Sequence, residues 1–279
     1  MQPAITYSLH KINNTVNFGF KPEDYSRFKF GDEQVSKEFG ESLAAGFIQD
    51  YLDKNRIEQQ IVVISSPYSF IPTATFAMKN YFVFQLNRWL ANHGFPVVQE
   101  AKVHRTVTYK EDYGELDAAQ RISLISNDSF HIDKEFLQDK RLIFLDDIRI
   151  TGSHERMILK MMNQYELKNQ VHLLYFAELV NNEIHPNIEN YLNYYFVKSI
   201  FDLDEIINSS DFSINTRIVK YILNSKPESF SIFLNTQTDR FINQLYNMAL
   251  GNGYHTIDAY IPNLNTVKKH LNVNKFNLA

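Results

Sequence analysis

Apolar residues recur every fourth position from Val35 through Phe39, Leu43 and Phe47 to Tyr51, and this spacing predicts a helix that buries one stripe. Asp32 stands where its side chain can cap that helix, which the pattern carries to about Asp53. Ile61-Val62-Val63-Ile64 gives a different signal, an unbroken β-branched run that predicts a central strand. A polar loop follows, Ser65-Ser66-Pro67-Tyr68-Ser69-Phe70. Pro72 then opens a helix that is apolar nearly all round (Phe76, Phe82, Phe84, Leu86, Trp89, Leu90) and stops at Gly94. Val97-Val98 starts another strand, running to Val103. Residues 104–130 are polar and charged. They read either as a solvated loop with a short helix from Leu116 to Ile125 or as a lid, since long loops in compact domains are often functional.

The most informative pattern runs from Arg141 to His154. Leu142 to Leu145 are apolar without interruption, as in a strand buried on both faces of a parallel sheet. The strand is expected to end on Asp146 and Asp147. A short turn with Thr151, Gly152 and Ser153 comes next, then a helical pattern carrying Met157, Ile158, Met161 and Met162. Two further strands are expected, at His172–Phe176 and Tyr194–Val197. Strands alternating with helices predict an α/β fold with a parallel sheet flanked by helices. The first 30 residues are mixed, with short alternating pieces such as Ala4-Ile5-Thr6-Tyr7. Beyond Asn208-Ser209-Ser210-Asp211 only helices are expected, at about 214–224, 227–235, 238–250 and 265–271. The predicted organisation is therefore an α/β domain over residues 1–207 and a C-terminal helical lobe, residues 208–279, packed on it.

Composition narrows the setting. A chain of 279 residues is one large domain or a domain with an appendage, and its 44% hydrophobic and 22% charged content is that of an ordinary globular protein. With no cysteine it has neither disulfides nor thiolate metal sites, which is compatible with a reducing cytoplasm. A net charge of −4 gives no general attraction to nucleic acid or anionic lipid. No apolar stretch approaches the ~20 residues of a membrane span. The start of the chain lacks the apolar run of a secretory signal. The expectation is a soluble, cytoplasmic protein without nucleic-acid or membrane partners. Nine scattered histidines show no paired spacing for zinc.

The chemistry is expected at the acidic strand end. Carboxylates at the C-terminal end of a parallel strand, beside a helix N-terminus, stand where open α/β sheets bind ligands. They accept hydrogen bonds from hydroxyls or face a metal, while the turn and the helix dipole suit a phosphate. A nucleotide-hydrolase reading would need G-x-x-x-x-G-K-[ST] upstream, and the sequence has none.

The run Leu142-Ile-Phe-Leu-Asp-Asp-Ile-Arg-Ile-Thr-Gly-Ser-His154 resembles the phosphoribosyl-pyrophosphate (PRPP) motif of type I phosphoribosyltransferases. The order of elements over about residues 30–200 agrees with that family. His104-Arg105 and Leu116-Asp-Ala-Ala-Gln-Arg121 resemble, more loosely, its competence-protein-F-like branch. The resemblance implies a phosphoribosyltransferase that uses PRPP and Mg2+, releases pyrophosphate and takes a nucleobase or similar nitrogen heterocycle as acceptor. It implies that Asp146 and Asp147 hold the ribose hydroxyls and reach the metal through water. Ile150, Thr151, Gly152, Ser153 and His154 would wrap the 5′-phosphate. Ser65, Ser66, Tyr68 and Ser69 would lie in the pyrophosphate loop, and residues 102–120 would form the flexible catalytic loop. The implied pyrophosphate loop lacks glycine and any basic residue, so Lys102 and Arg105, or Arg149, are the candidate sources of positive charge. A homodimer is a further expectation. The alternative is a non-catalytic PRPP- or nucleotide-binding regulator with the same fold, motivated by that loop and by the helical tail. Action in reverse on a nucleotide or nucleoside is a third reading.

Overall fold

The computed structural model describes residues 4–55, 58–105 and 130–276. Its strands are β1 (Ile5–Ile12), β2 (Ile61–Ser65), β3 (Gln99–Glu100), β4 (His104–Arg105), β5 (Phe130–His131), β6 (Arg141–Arg149) and β7 (Val171–Leu179). Five of them form a sheet in the order β1-β7-β6-β2-β3, every neighbouring pair parallel. β4 and β5 pair separately and antiparallel.

The central strands are apolar on both sides because both sides are covered. Along β6, Ile143 and Leu145 enter one core and Leu142 and Phe144 the other. The first core is closed by α1 (Pro22–Lys29), α2 (Glu33–Asp50) and α3 (Ala74–Asn92). The second is closed by α4 (Lys134–Leu137) and α5 (Ser153–Gln164), through Leu137, Met161 and Met162. The fourfold stripe of α2 packs on the sheet as expected, and the Asp32 carboxylate accepts from the Val35 N–H at 3.2 Å.

Three strand expectations change, and of the strand expected from Val97 to Val103 only Gln99–Glu100 forms. Tyr194–Val197 is not a strand. It follows α6 (Ile188–Asn193) as an irregular turn, with the Tyr194 ring against Phe30 and Tyr221 and Val197 buried among the C-terminal helices. The edge of β7 is taken instead by β1, whose alternating piece at residues 4–7 extends to Ile12 in register with Ile5 opposite His172. β6 also runs past the two aspartates to Arg149, pairing Ile148 with Ala177 and Arg149 with Glu178, so the strand does not end on them.

The C-terminal helices are α7 (Leu203–Ile207), α8 (Thr216–Leu223), α9 (Pro227–Thr236), α10 (Asp239–Gly251) and α11 (Ile261–Phe276). They share a third core with Phe30, Ile71, Val197 and Ile200. α11 begins four residues earlier than its periodicity suggested, with Pro262 in its first turn, where a missing N–H costs nothing. α3 begins at Ala74, after Pro72, whose carbonyl accepts from the Thr216 N–H at 2.8 Å. Among the described residues no helix is long and apolar enough to cross a membrane.

Candidate functional site

A strand sends successive side chains to opposite faces, and the two aspartates of β6 accordingly meet different elements. Both are buried, Asp146 at 8% and Asp147 at 5% exposure. The Asp146 carboxylate accepts from Ser66 Oγ at 2.6 Å, from the Asp147 N–H at 3.0 Å and from the first turn of α5, where His154 Nδ1 lies 2.6 Å away. Asp147 accepts from the Tyr25 hydroxyl at 2.5 Å and from the Lys29 ammonium, both on α1 and four residues apart. Thr75, in the first turn of α3, joins the two sides, with Oγ1 3.4 Å from Asp146 and 3.2 Å from Asp147.

The electrostatics keep Asp146 ionised. Burial works against the Asp146 anion, but charge and a hydrogen bond from His154, with a further bond from Ser66, hold its carboxyl well below the usual range. Burial, and after it the neighbouring Asp147 anion, push the Tyr25 phenol well above its ordinary value, so Tyr25 stays a donor.

The turn after β6 depends on Gly152, which adopts φ +67 and supplies the N-cap of α5. That left-handed conformation strains any residue with a Cβ. Thr151 Oγ1 and Ser153 Oγ lie 2.7 Å apart, and Arg156 braces the turn by donating to Thr151 O and Ser153 Oγ, both at 3.0 Å. The Ile150 side chain packs toward the first core and can offer a ligand only its backbone. Arg149 is engaged below the turn, donating to Glu155 at 2.7 Å and Glu178 at 2.8 Å. Glu178 is held in turn by Ser8 and Lys11 of β1. Arg149 is thus a brace of the turn and not a source of charge for the loop at residues 65–70.

That loop lies beside the carboxylates. Ser66 bridges to Asp146, as noted. Lys102 reaches the loop from the other side, with Nζ donating to Ser69 O at 2.7 Å and lying 4.0 Å from the centre of the Tyr68 ring. A cavity of about 230 Å³ opens between them, lined by Ser65, Ser66, Tyr68, Lys79, Glu100 and Lys102. Arg105 lies in β4, and its side chain, like residues 106–120 of the expected catalytic loop and the expected helix at 116–125, is outside the described residues. The far end of the loop is gripped by the C-terminal lobe. Asn252 Oδ1 accepts from the N–H groups of Phe70 at 2.9 Å and Ile71 at 3.0 Å, and Thr216 Oγ1 donates to Ile71 O at 2.8 Å.

The structure therefore brings Asp146, Asp147, the turn at residues 150–154, the loop at residues 65–70 and Lys102 to one end of the sheet. Sequence reasoning missed Thr75, Tyr25, Lys29, Lys79 and Asn252. For two of them a signal existed: Thr75 and Lys79 are polar positions, one turn apart, on a helix that is otherwise apolar nearly all round.

A family model described as PRTase ComF-like matches residues 4–267. No curated protein matches the sequence. Among solved structures, similarity extends to a hypoxanthine phosphoribosyltransferase from Staphylococcus aureus, at 9% identity over 53% of this chain and 74% of the other, with a TM-score of 0.31. The L. donovani hypoxanthine-guanine phosphoribosyl transferase matches at 13% identity over 53% and 73%, with a TM-score of 0.29. A hypoxanthine phosphoribosyl transferase from Trypanosoma cruzi matches at 13% identity over 54% and 77%, with a TM-score of 0.32.

Proposed function

This chain belongs to the ComF-like phosphoribosyltransferase family, and from that premise we propose that it transfers the 5-phosphoribosyl group of PRPP to a nitrogen acceptor such as a nucleobase, releasing pyrophosphate. The observation that carries the reading is the pair of adjacent buried carboxylates on β6, set between the Gly152 turn and the serine-rich loop at residues 65–70. Asp146 and Asp147 accept from the two ribose hydroxyls through charge-assisted bonds. Their negative charge stabilises the oxocarbenium-like ribose as the bond from the anomeric carbon to pyrophosphate oxygen breaks. The acceptor nitrogen then forms its bond to that carbon and gives up a proton. Backbone N–H groups at the start of α5, with Thr151, Ser153 and His154, hold the 5′-phosphate. Ser65, Ser66, Tyr68 and Ser69 line the pyrophosphate side, and Lys102, with Arg105 from the adjoining segment, supplies positive charge there.

Magnesium fits as an ion carried chiefly by substrate. Among the described residues no group of three acidic or imidazole side chains could cage a metal, whereas Asp146 and Asp147 offer hard oxygens that reach one through water. When bound, the ion neutralises charge on the departing pyrophosphate. In this reading residues 1–207 carry the transfer site, residues 208–279 form a lobe packed on it, and the protein works in the cytoplasm as a homodimer.

Isothermal titration tests the proposal. PRPP with magnesium should bind, and D146N/D147N should abolish binding; equal affinity in the variant would reject it. One observation favours a second reading, a non-catalytic sensor: Asp147 is already bonded to Tyr25 and Lys29, so ribose must share or displace them. Pyrophosphate release across a panel of bases separates the two. Turnover with any base rejects the sensor, and tight PRPP binding without turnover favours it.

A further inference from the structure

The cavity beside the loop at residues 65–70 contains a lysine that the sequence pattern hides inside α3. Lys79 is 2% exposed, one helical turn beyond Thr75, and lines the cavity with Ser65, Ser66 and Lys102. Its ammonium pairs with Glu100 and lies 4.3 Å from the centre of the Phe76 ring. The two partners are unequal. The Lys79 side chain is 3% exposed, whereas that of Glu100 is 46% exposed on β3, the two-residue edge strand. A lysine buried this deeply requires an anion beside it. Glu100, near solvent, can rotate away and be hydrated without leaving a buried charge of its own. The cavity wall then carries two ammonium groups and two serine hydroxyls, facing space large enough for a diphosphate.

We propose that Lys79 supplies the buried positive charge that the loop at residues 65–70 lacks, binding the terminal phosphate of the pyrophosphate group, and that Glu100 takes the place of that phosphate when the cavity is empty. The inference rests on reading this end of the sheet as a phosphoribosyl site. A multiply charged phosphate displaces a single carboxylate because its attraction to two nearby ammonium groups is larger. Ser66 then touches both halves of the substrate region, since it lines the cavity and donates to Asp146.

The test is calorimetric titration of the full chain with magnesium pyrophosphate and, separately, with ribose 5-phosphate. K79M should weaken pyrophosphate binding at least tenfold, and K79R should recover most of it. E100Q should tighten it severalfold, because the competing anion is gone. Neither K79M nor E100Q should change ribose 5-phosphate affinity by more than twofold. A merely structural lysine–glutamate pair predicts losses from both variants, toward both ligands. Wild-type protein that binds neither ligand overturns the phosphoribosyl reading together with this inference. Binding of ribose 5-phosphate but not pyrophosphate overturns the role of the cavity. Binding of both, unchanged in the variants, overturns the role of Lys79 alone. Should K79M fail to fold, E100Q decides: unchanged or weaker pyrophosphate binding rejects the exchange.

Discussion

His154 Nδ1 lies 2.6 Å from the Asp146 carboxylate, so the helix that begins at the Gly152 turn is tied directly to the acid on the strand before it. Because the folded Asp146 pKa is depressed, its contribution to stability is complete above the unfolded value of about 3.9 and fades as pH falls through the lower folded one. H154A removes the charge partner and raises that folded pKa. We expect a loss of about 2 kcal/mol at pH 7, the scale of a hydrogen bond to a charged group, and an acid-unfolding midpoint at higher pH. Urea unfolding of both proteins at pH 7 and pH 3 checks this, with the difference shrinking at the lower pH.

Gly152 is the second point of control. At φ +67 an alanine costs about 1–2 kcal/mol of backbone strain, and its Cβ would stand 3.3 Å from Arg149 Nη2, crowding the brace beneath the turn. G152A should lower stability by that amount and weaken ribose 5-phosphate binding more than pyrophosphate binding. Calorimetry with each ligand shows whether the loss is selective.

Asn252 acts from outside the sheet. Removing its side chain leaves the N–H groups of Phe70 and Ile71 without their acceptor, at about 1–3 kcal/mol for the unsatisfied buried group. N252A should raise the KM for PRPP about tenfold with a smaller change in kcat, and N252D, which keeps an acceptor oxygen, should restore most of it. Hydrogen exchange at the two amides should accelerate in N252A and not in N252D.

His172 predicts a second, separate pH dependence. It is fully buried on β7 against Phe47 and Tyr51, and neither ring nitrogen has a hydrogen-bond partner among the described residues. Burial, with Arg141 adding to it, lowers its pKa to about 4. Between pH 6.5 and pH 4 the unfolded chain holds more protons at this position than the folded one, so stability falls as pH falls. The total is about 3 kcal/mol over that window. H172F should flatten stability between those pH values, as read from urea midpoints in steps of half a pH unit.

Much of this was legible in the chain. The β-branched run at Ile61–Ile64 and the apolar run at Leu142–Leu145 announce strands covered on both faces, and Asp146-Asp147 followed by Thr151-Gly152-Ser153 marks the end of the sheet where the proposed site lies. β1 was obscure because an edge strand alternates over a short stretch and takes its identity from β7, far along the chain. Tyr194–Val197 misled for the opposite reason: its aromatic, β-branched composition suits a strand equally well as a turn packed on helices, and only tertiary contacts choose. The bonds from Tyr25 and Lys29 to Asp147, and from Asn252 to the loop, span more than a hundred residues of sequence, so no local spacing reveals them.

The position of β1 also bears on how the protein is made. β1 is synthesised well before β7, its one partner strand among the described residues, so it waits until the ribosome has delivered residues 171–179. Such a distant pairing delays closure of the sheet and leaves an open strand edge on the nascent chain. Since Ser8 and Lys11 hold Glu178, and Glu178 holds Arg149 beneath the Gly152 turn, that turn gains its full bracing only after β1 has docked. The full bracing of the turn therefore arrives late in biosynthesis, coupled to a strongly non-local step of folding.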